Sequence, residues 1–231
     1  MIEFLHSELF AVTLTIAVFW VGMLIQQKTR LVALNPILIA IIVIILLLKV
    51  SGTSYETYNA GGKYIAFLLK PAIVALGVPL YMQIEQIRKQ TVPILASQLA
   101  ACAVGAVSAF LIAKYLGATP EVAISLAPKS ATTPLAMEVS QITGGIPSLT
   151  AIIVILTGIL GAVIGLPILR LAGIKSPIAQ GLSMGAAAHA VGTSHCMGKN
   201  IHLGVYSSLG LIVNGTLTGV LTPYILQLLG V

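Results

Sequence analysis

Charge is what this sequence has least of. Only 8% of its 231 residues are Asp, Glu, Lys or Arg, against about 25% in soluble domains. That shortage excludes a water-soluble globular surface. Acids are the scarcer sign, with six against twelve Lys and Arg. Lysines inside apolar runs therefore lack sequence-local partners. Two cysteines, Cys102 and Cys196, lie in apolar or glycine-rich surroundings without C-x-x-C spacing, which argues against a disulfide framework or a zinc site. No basic run is dense enough to follow a phosphate backbone, so nucleic acid is not an expected partner. Glu3 and Glu8 stand where a secretory signal peptide would carry lysines. The apolar run behind them is long enough to span, and is read as a transmembrane helix of the mature protein.

What is present is apolar: 58% of the residues are hydrophobic and the mean hydropathy is +1.05. The expected fold is an all-α, polytopic membrane protein of about 7–8 membrane segments embedded in a lipid bilayer. The first segment covers 8–26 and ends at Gln26-Gln27-Lys28-Thr29-Arg30. Its cations place that loop on the cytoplasmic side and the N-terminus outside. A second segment opens at Asn35-Pro36 and runs to Val50 with no polar face, as a lipid-facing helix does. Residues 51–62 read as an external loop. A third segment, 63–82, holds Lys70-Pro71, Gly77 and Pro79 and is expected to be kinked or discontinuous. Lys70 is either a second charge near a site or a snorkelling lysine at a shallow position. Segments at 91–113, 149–169 and 203–229 are ordinary by comparison. The second of these contains Gly161-x-x-x-Gly165 and the third Gly215-x-x-x-Gly219, both close-packing signals.

Two stretches are not ordinary. Leu126-Ala-Pro-Lys-Ser-Ala-Thr-Thr-Pro-Leu-Ala136 carries a lysine, three hydroxyls and two prolines between apolar runs. An intramembrane cation is costly and marks a functional site by default. Each proline removes a backbone donor, and broken backbone at membrane depth persists only inside protein or beside a wet cavity. A helix from Pro120 is expected to break at Pro128 and restart with Thr133-Pro134 as cap and first turn. The restarted helix would aim its free amides at the place where Lys129, Ser130, Thr132 and Thr133 stand. A helix N-terminus favours anions, and discontinuous transporter helices use this geometry for carboxylates. The plainer alternative is a surface loop with a snorkelling Lys129.

The second stretch is 181–199, where His189, Gly192, Thr193, Ser194 and His195 interrupt a small-residue helix. A break is expected at 188–196, with Gly192 supplying positive φ and Thr193 or Ser194 capping the next half. The six-residue spacing of His189 and His195 does not share a helix face, which speaks against a metal site. His189 reads either as a proton relay or substrate contact, or as a packing histidine bonded to a carbonyl. Asn214 either reaches the site or bridges helices. Glu138 is a further candidate for proton coupling. If the 120–140 segment crosses fully, Arg170 and Lys175 fall outside, against the charge rule. If it is re-entrant, they return inside, and two broken elements meet at mid-membrane from opposite sides.

Four ordered stretches resemble the LrgB/CidB family: Leu68-Leu-Lys-Pro-Ala-Ile-Val-Ala-Leu-Gly-Val-Pro-Leu-Tyr81, Ala127-Pro-Lys-Ser-Ala-Thr-Thr-Pro134, Gly144-Gly-Ile-Pro-Ser-Leu-Thr-Ala151 and His189-Ala-Val-Gly-Thr193. The likeness covers nearly the whole chain and implies one LrgB-type transmembrane domain over 1–231, in the bacterial inner membrane. The family also includes the C-terminal domain of the plastid glycolate/glycerate translocator. The resemblance implies one of two roles. One is a holin- or antiholin-like modulator of murein hydrolase export and cell lysis. The other is a transporter of small carboxylates such as pyruvate, glycolate or glycerate. It also implies a small LrgA/CidA-type membrane partner. The residues favour transport, since one lysine framed by hydroxyls and helix breaks suits a carboxylate better than a leak. A homo-oligomer is expected, with no cofactor and with coupling to protons or sodium open. No nucleophile stands with a base and an orienting acid, which points away from an enzyme.

Overall fold

The computed structural model describes residues 7–29, 31, 34, 36–68, 71, 81, 82 and 84–231, and their regular structure is entirely helical. The chain divides into two compact units, Met1–Val74 and Ala75–Val231.

In the first unit, α1 (Glu8–Thr29) packs against both α2 (Pro36–Ser51) and α3 (Tyr55–Phe67). Small residues admit the close contacts. A β-carbon at Gly22 would fall 3.0 Å from Pro36 Cα, and one at Gly61 2.8 Å from Ala11 Cβ. Lipid supplies no hydrophobic drive between helices, so such close packing and interhelical hydrogen bonds hold them together. Here the bonds are Tyr58 Oη to Thr15 Oγ1 at 2.6 Å and Tyr64 Oη donating to Glu8 Oε2 at 2.7 Å. The expected external loop at 51–62 is largely the first half of α3. Ser54 caps it by accepting from the Thr57 amide at 3.2 Å, with Glu56 in its first turn. Polar residues read as a loop by hydropathy form a helix because the cap is correct. Lys70 and residues 72–80, the core of the expected kinked segment, lie outside the described residues.

The second unit contains α4 (Ile84–Lys89), α5 (Thr91–Tyr115), α6 (Pro120–Leu126), α7 (Thr133–Thr143), α8 (Pro147–Leu171), α9 (Pro177–Lys199) and α10 (Ile201–Leu228). Among the described residues, four helices are long and apolar enough to cross a membrane: α1, α5, α8 and α10, of 22, 25, 25 and 28 residues. At about 1.5 Å per residue they reach roughly 33–42 Å, beyond a hydrocarbon core of about 30 Å. Apolar α2 is shorter, at 16 residues. The remaining elements of the expected 7–8 segments that are described do not run as single crossings.

α9 is two helices. His189 has φ 38° and ψ −133°, and the chain reverses there. Along α9a (177–188), Gly181 lies against Leu203 and Tyr206, Gly185 against Ser207 and Leu211, and Ala186 against Asn214. Both numbers rise together, so α9a runs parallel to α10. Along α9b (190–199), Thr193 meets Ser207 and Met197 meets Gly204, so α9b runs antiparallel to it. The hairpin is closed by Gly192, whose β-carbon would lie 2.5 Å from Ala188 Cβ.

The α6–α7 segment also doubles back. Ala123, Ile124 and Ala127 cluster with Leu226 near the end of α10, and the Ser130 carbonyl reaches Asn214. Leu135 then lies on Gly219. Ile142 and Thr143 share a crevice with Pro223 and Leu226. The return is fixed by hydroxyls. Ser125 Oγ accepts from the Ile146 amide at 2.7 Å. Thr150 Oγ1 lies 2.8 Å from Ser140 Oγ and 3.0 Å from the Ser125 carbonyl. The end of α7 therefore sits beside the end of α6.

α5 runs parallel to α10, with Ile94 beside Leu209 and Phe110 beside Leu226. α8 runs opposite to α9a, pairing Gly165 with Met184 and Gly158 with His189. These directions gather Arg88, Lys89, Arg170, Lys175 and Lys199 at the end of the unit where α10 begins.

Candidate functional site: a polar centre where two hairpins meet

Asn214 stands at the midpoint of α10 and is fully buried. Its Nδ2 donates to the Ala186 carbonyl at 3.1 Å and to the Ser130 carbonyl at 3.4 Å. One carbonyl belongs to the tip of the α9 hairpin, the other to the tip of the α6–α7 hairpin. The hairpins enter from opposite ends of the unit and their tips meet at half height. Asn214 therefore bridges helices and sits at the centre, which joins the two roles its sequence context left open.

The tip of the α6–α7 hairpin has the expected break and restart, with one shift. α6 ends at Leu126, and the helix restarts with Thr132 as N-cap, Thr133 as its first residue and Pro134 in the first turn. The cap is one residue earlier than Thr133. Thr132 makes no side-chain capping bond, and its Oγ1 is buried without a partner among the described residues. Thr133 and Leu135 lie in the first turn, whose amides have no intrahelical acceptor. Ser130 is buried, and a β-carbon at Gly105 of α5 would come 3.1 Å from its Oγ. Lys129 is half-buried within the turn. Among the described residues no hydrogen bond or ion pair engages its ammonium.

The tip of the α9 hairpin differs from expectation. The positive φ falls on His189, whereas Gly192 is helical and packed against Ala188 and Met184. Thr193 does not cap α9b; it bonds Ser207 Oγ at 3.0 Å. Ser194 returns its hydroxyl to the Ala190 carbonyl at 3.0 Å. Ser207 precedes Asn214 by two turns of α10, so Thr193 lies about 10 Å below the centre. Gly192 and Thr193 thus serve the packing of the hairpin. His189 is buried, and its Nε2 donates to the Val154 carbonyl at 2.9 Å. A carbonyl only accepts, so Nε2 carries a proton. This is the packing arrangement, and it occupies the nitrogen a relay would need on that side. His189 and Lys129 remain close enough to act on one another electrostatically. Glu138 is exposed on α7. Lys70 lies outside the described residues.

The centre thus collects the N-terminal ends of α7 and α9b, the turn that holds Lys129, and the Thr132 Oγ1 and Asn214 Oδ1, both without a partner among the described residues. The C-terminal end of α9a also arrives there, and a nearby cation offsets the partial negative charge of such an end. Sequence reasoning missed Gln98, Thr218 and Thr222, all buried. The four-residue spacing of Asn214, Thr218 and Thr222 was the available signal, since it sets one helix face.

These features define a helical membrane protein with several long apolar helices, whose second unit carries two opposed helical hairpins. The chain belongs to the LrgB-like family, whose profile matches residues 15–228. It is similar to a protein of Haemophilus influenzae described as uncharacterized, 38% identical over 216 residues, which are 94% of each chain. It is also similar to the holin-like protein CidB of Staphylococcus epidermidis, 37% identical over 226 residues and 98% of each chain. The holin-like protein CidB of Staphylococcus aureus is 35% identical over 222 residues, 96% of this chain and 97% of that one. No solved structure matches.

Proposed function

We propose that this chain is a carrier for small carboxylate anions of the pyruvate, glycolate or glycerate kind, bound where the hairpin tips meet. The observation that carries the reading is that, among the described residues, neither the Lys129 ammonium in the turn before α7 nor the buried Thr132 Oγ1 at its N-cap has a partner. Buried polar groups are rarely left unpaired without a reason. A carboxylate would accept charge-assisted hydrogen bonds from Lys129 and the first-turn amides. Alternating access would move the hairpins against the long helices. The charge rule places the Arg88, Lys89, Arg170, Lys175 and Lys199 end in the cytoplasm, and the N-terminus outside, in a bacterial inner membrane. A homo-oligomer, a small LrgA/CidA-type partner, and coupling to protons or sodium belong to this proposal.

The second reading is a holin-like protein that permeabilises the membrane and modulates murein hydrolase export and lysis. The names of the Staphylococcus relatives favour it. The two separate in proteoliposomes. A carrier gives saturable uptake of labelled carboxylate that Lys129→Ala abolishes, with no loss of trapped dye. A holin-like protein releases dye, shows no saturation and is indifferent to Lys129→Ala.

A further inference from the structure

A cavity of about 430 Å³ opens between α5 and α9a. Gln90 and Ser176 stand at its mouth, Ser97, Gln98 and Ser183 along its wall, and Ala186 at its inner end. Ala186 is the residue whose carbonyl holds Asn214, so the cavity reaches the centre. Its mouth lies between Lys89 and Lys175, at the end where the cations gather. A positive rim concentrates anions. The wall is different: uncharged and largely apolar, with Pro93, Ile94, Ala101, Ile178 and Leu182 around the three polar side chains Ser97, Gln98 and Ser183. Gln98 is 2% exposed, and its Oε1 has no partner among the described residues. A buried amide oxygen is costly unless something bonds it, and the cavity has room for on the order of ten waters or a small hydrated solute.

Beyond Asn214 the polarity continues along buried side chains. Thr218 and Thr222 follow on the same face of α10, at 1% and 0% exposure. Neither Thr218 Oγ1 nor Thr222 Oγ1 has a hydrogen-bond partner among the described residues. An apolar face would pack better in that position; a closed polar face is what a path needs when it is shut.

We propose that the α5–α9 cavity is the entrance of the solute pathway from the cation-rich end, and that the Asn214–Thr218–Thr222 face of α10 is its closed continuation to the opposite end. The inference rests on the centre being a solute site, and its ligand class is a small polar anion with its water. The structure is then the state open to one side.

The test is thiol accessibility in full-length protein with Cys102→Ala and Cys196→Ala, in sealed vesicles of both orientations. A charged, membrane-impermeant methanethiosulfonate is added from one side at a time. Lys175→Cys and Tyr115→Cys, both at exposed positions, report the two sides. Ser97→Cys and Ser183→Cys are near-isosteric and are expected to react from the Lys175 side only. Thr222→Cys is expected to react from the Tyr115 side only, at least tenfold more slowly than Tyr115→Cys. No reaction at positions 97 and 183 while Lys175→Cys reacts, or reaction from the Tyr115 side, overturns the entrance. No reaction of Thr222→Cys from either side overturns the continuation. Labelling needs no substrate, so it stands or falls separately from carboxylate uptake. Labelling that pyruvate does not slow supports the pathway while counting against the carboxylate.

Discussion

Asn214 Nδ2 joins the carbonyls of Ala186 and Ser130, at 3.1 and 3.4 Å, from the midpoint of the last helix. Two chain reversals 56 to 59 positions apart in sequence, at Ser130 and near His189, are thereby tied to a single side chain. Asn214→Leu leaves two buried carbonyls without their donor. We expect a loss of about 1–3 kcal/mol, read as a lower midpoint in detergent thermal melting. An unchanged midpoint would mean that the tips do not depend on this bridge.

The α9a–α10 contact predicts a graded glycine series. A β-carbon at Gly185 would collide with the Ser207 carbonyl and the Leu211 amide. Backbone cannot move aside as a side chain can, so Gly185→Ala should cost at least the 1–3 kcal/mol typical of overpacking. Gly158→Ala meets side chains rather than backbone, the His189 ring at 2.6 Å and Val191 Cγ2 at 3.0 Å, and should cost less. Gly215 has open space, so Gly215→Ala should stabilise α10 by about 0.5–1 kcal/mol. Melting midpoints in the order 215, wild type, 158, 185 would check the series.

His189 combines an unfavourable backbone with a favourable bond. Its φ of 38° is the only positive value among the described non-glycine residues. Such a conformation costs on the order of 1–3 kcal/mol. His189→Gly relieves that strain but loses the bond to Val154; His189→Ala loses the bond and keeps the strain. His189→Gly should therefore melt higher than His189→Ala. The opposite order would show that the reversal at His189 is not strained.

Lys129 should separate function from stability. Its ammonium is half-buried without a partner among the described residues, so Lys129→Met removes a desolvated charge and should leave the melting midpoint unchanged or raised. Labelled carboxylate uptake should fall to background in the same variant. A marked drop in stability would instead assign Lys129 to holding the α6 carbonyl ends.

Much of the 126–136 tip was legible in the sequence, because its determinants are local. Pro128 and Pro134, six residues apart, each remove a backbone donor and favour a break, and a hydroxyl before Pro134 selects the restart to within one residue. The 51–62 stretch was misread because hydropathy outweighed the Ser54 cap. The break in α9 falls within the 188–196 range that the sequence indicates, but on His189 rather than Gly192. The residue with the freest backbone was the reasonable choice, yet Gly192 is needed where Ala188 presses against it. The reversal falls on His189, whose ring is held by Val154, 35 positions away.

The sequence alone determined that this chain lives in a membrane, that its helices are interrupted at two places, and that a lysine stands at one of them. Composition and local sterics suffice for that. Only the tertiary structure decided which way the chain runs after each interruption. A broken helix continues or turns back according to the contacts that receive it, and Asn214, Thr150 and Ser207 are distant in sequence from the breaks they fix. The same contacts bring Arg170 and Lys175 to the end that holds Arg88 and Lys89, which the charge pattern had left between two topologies.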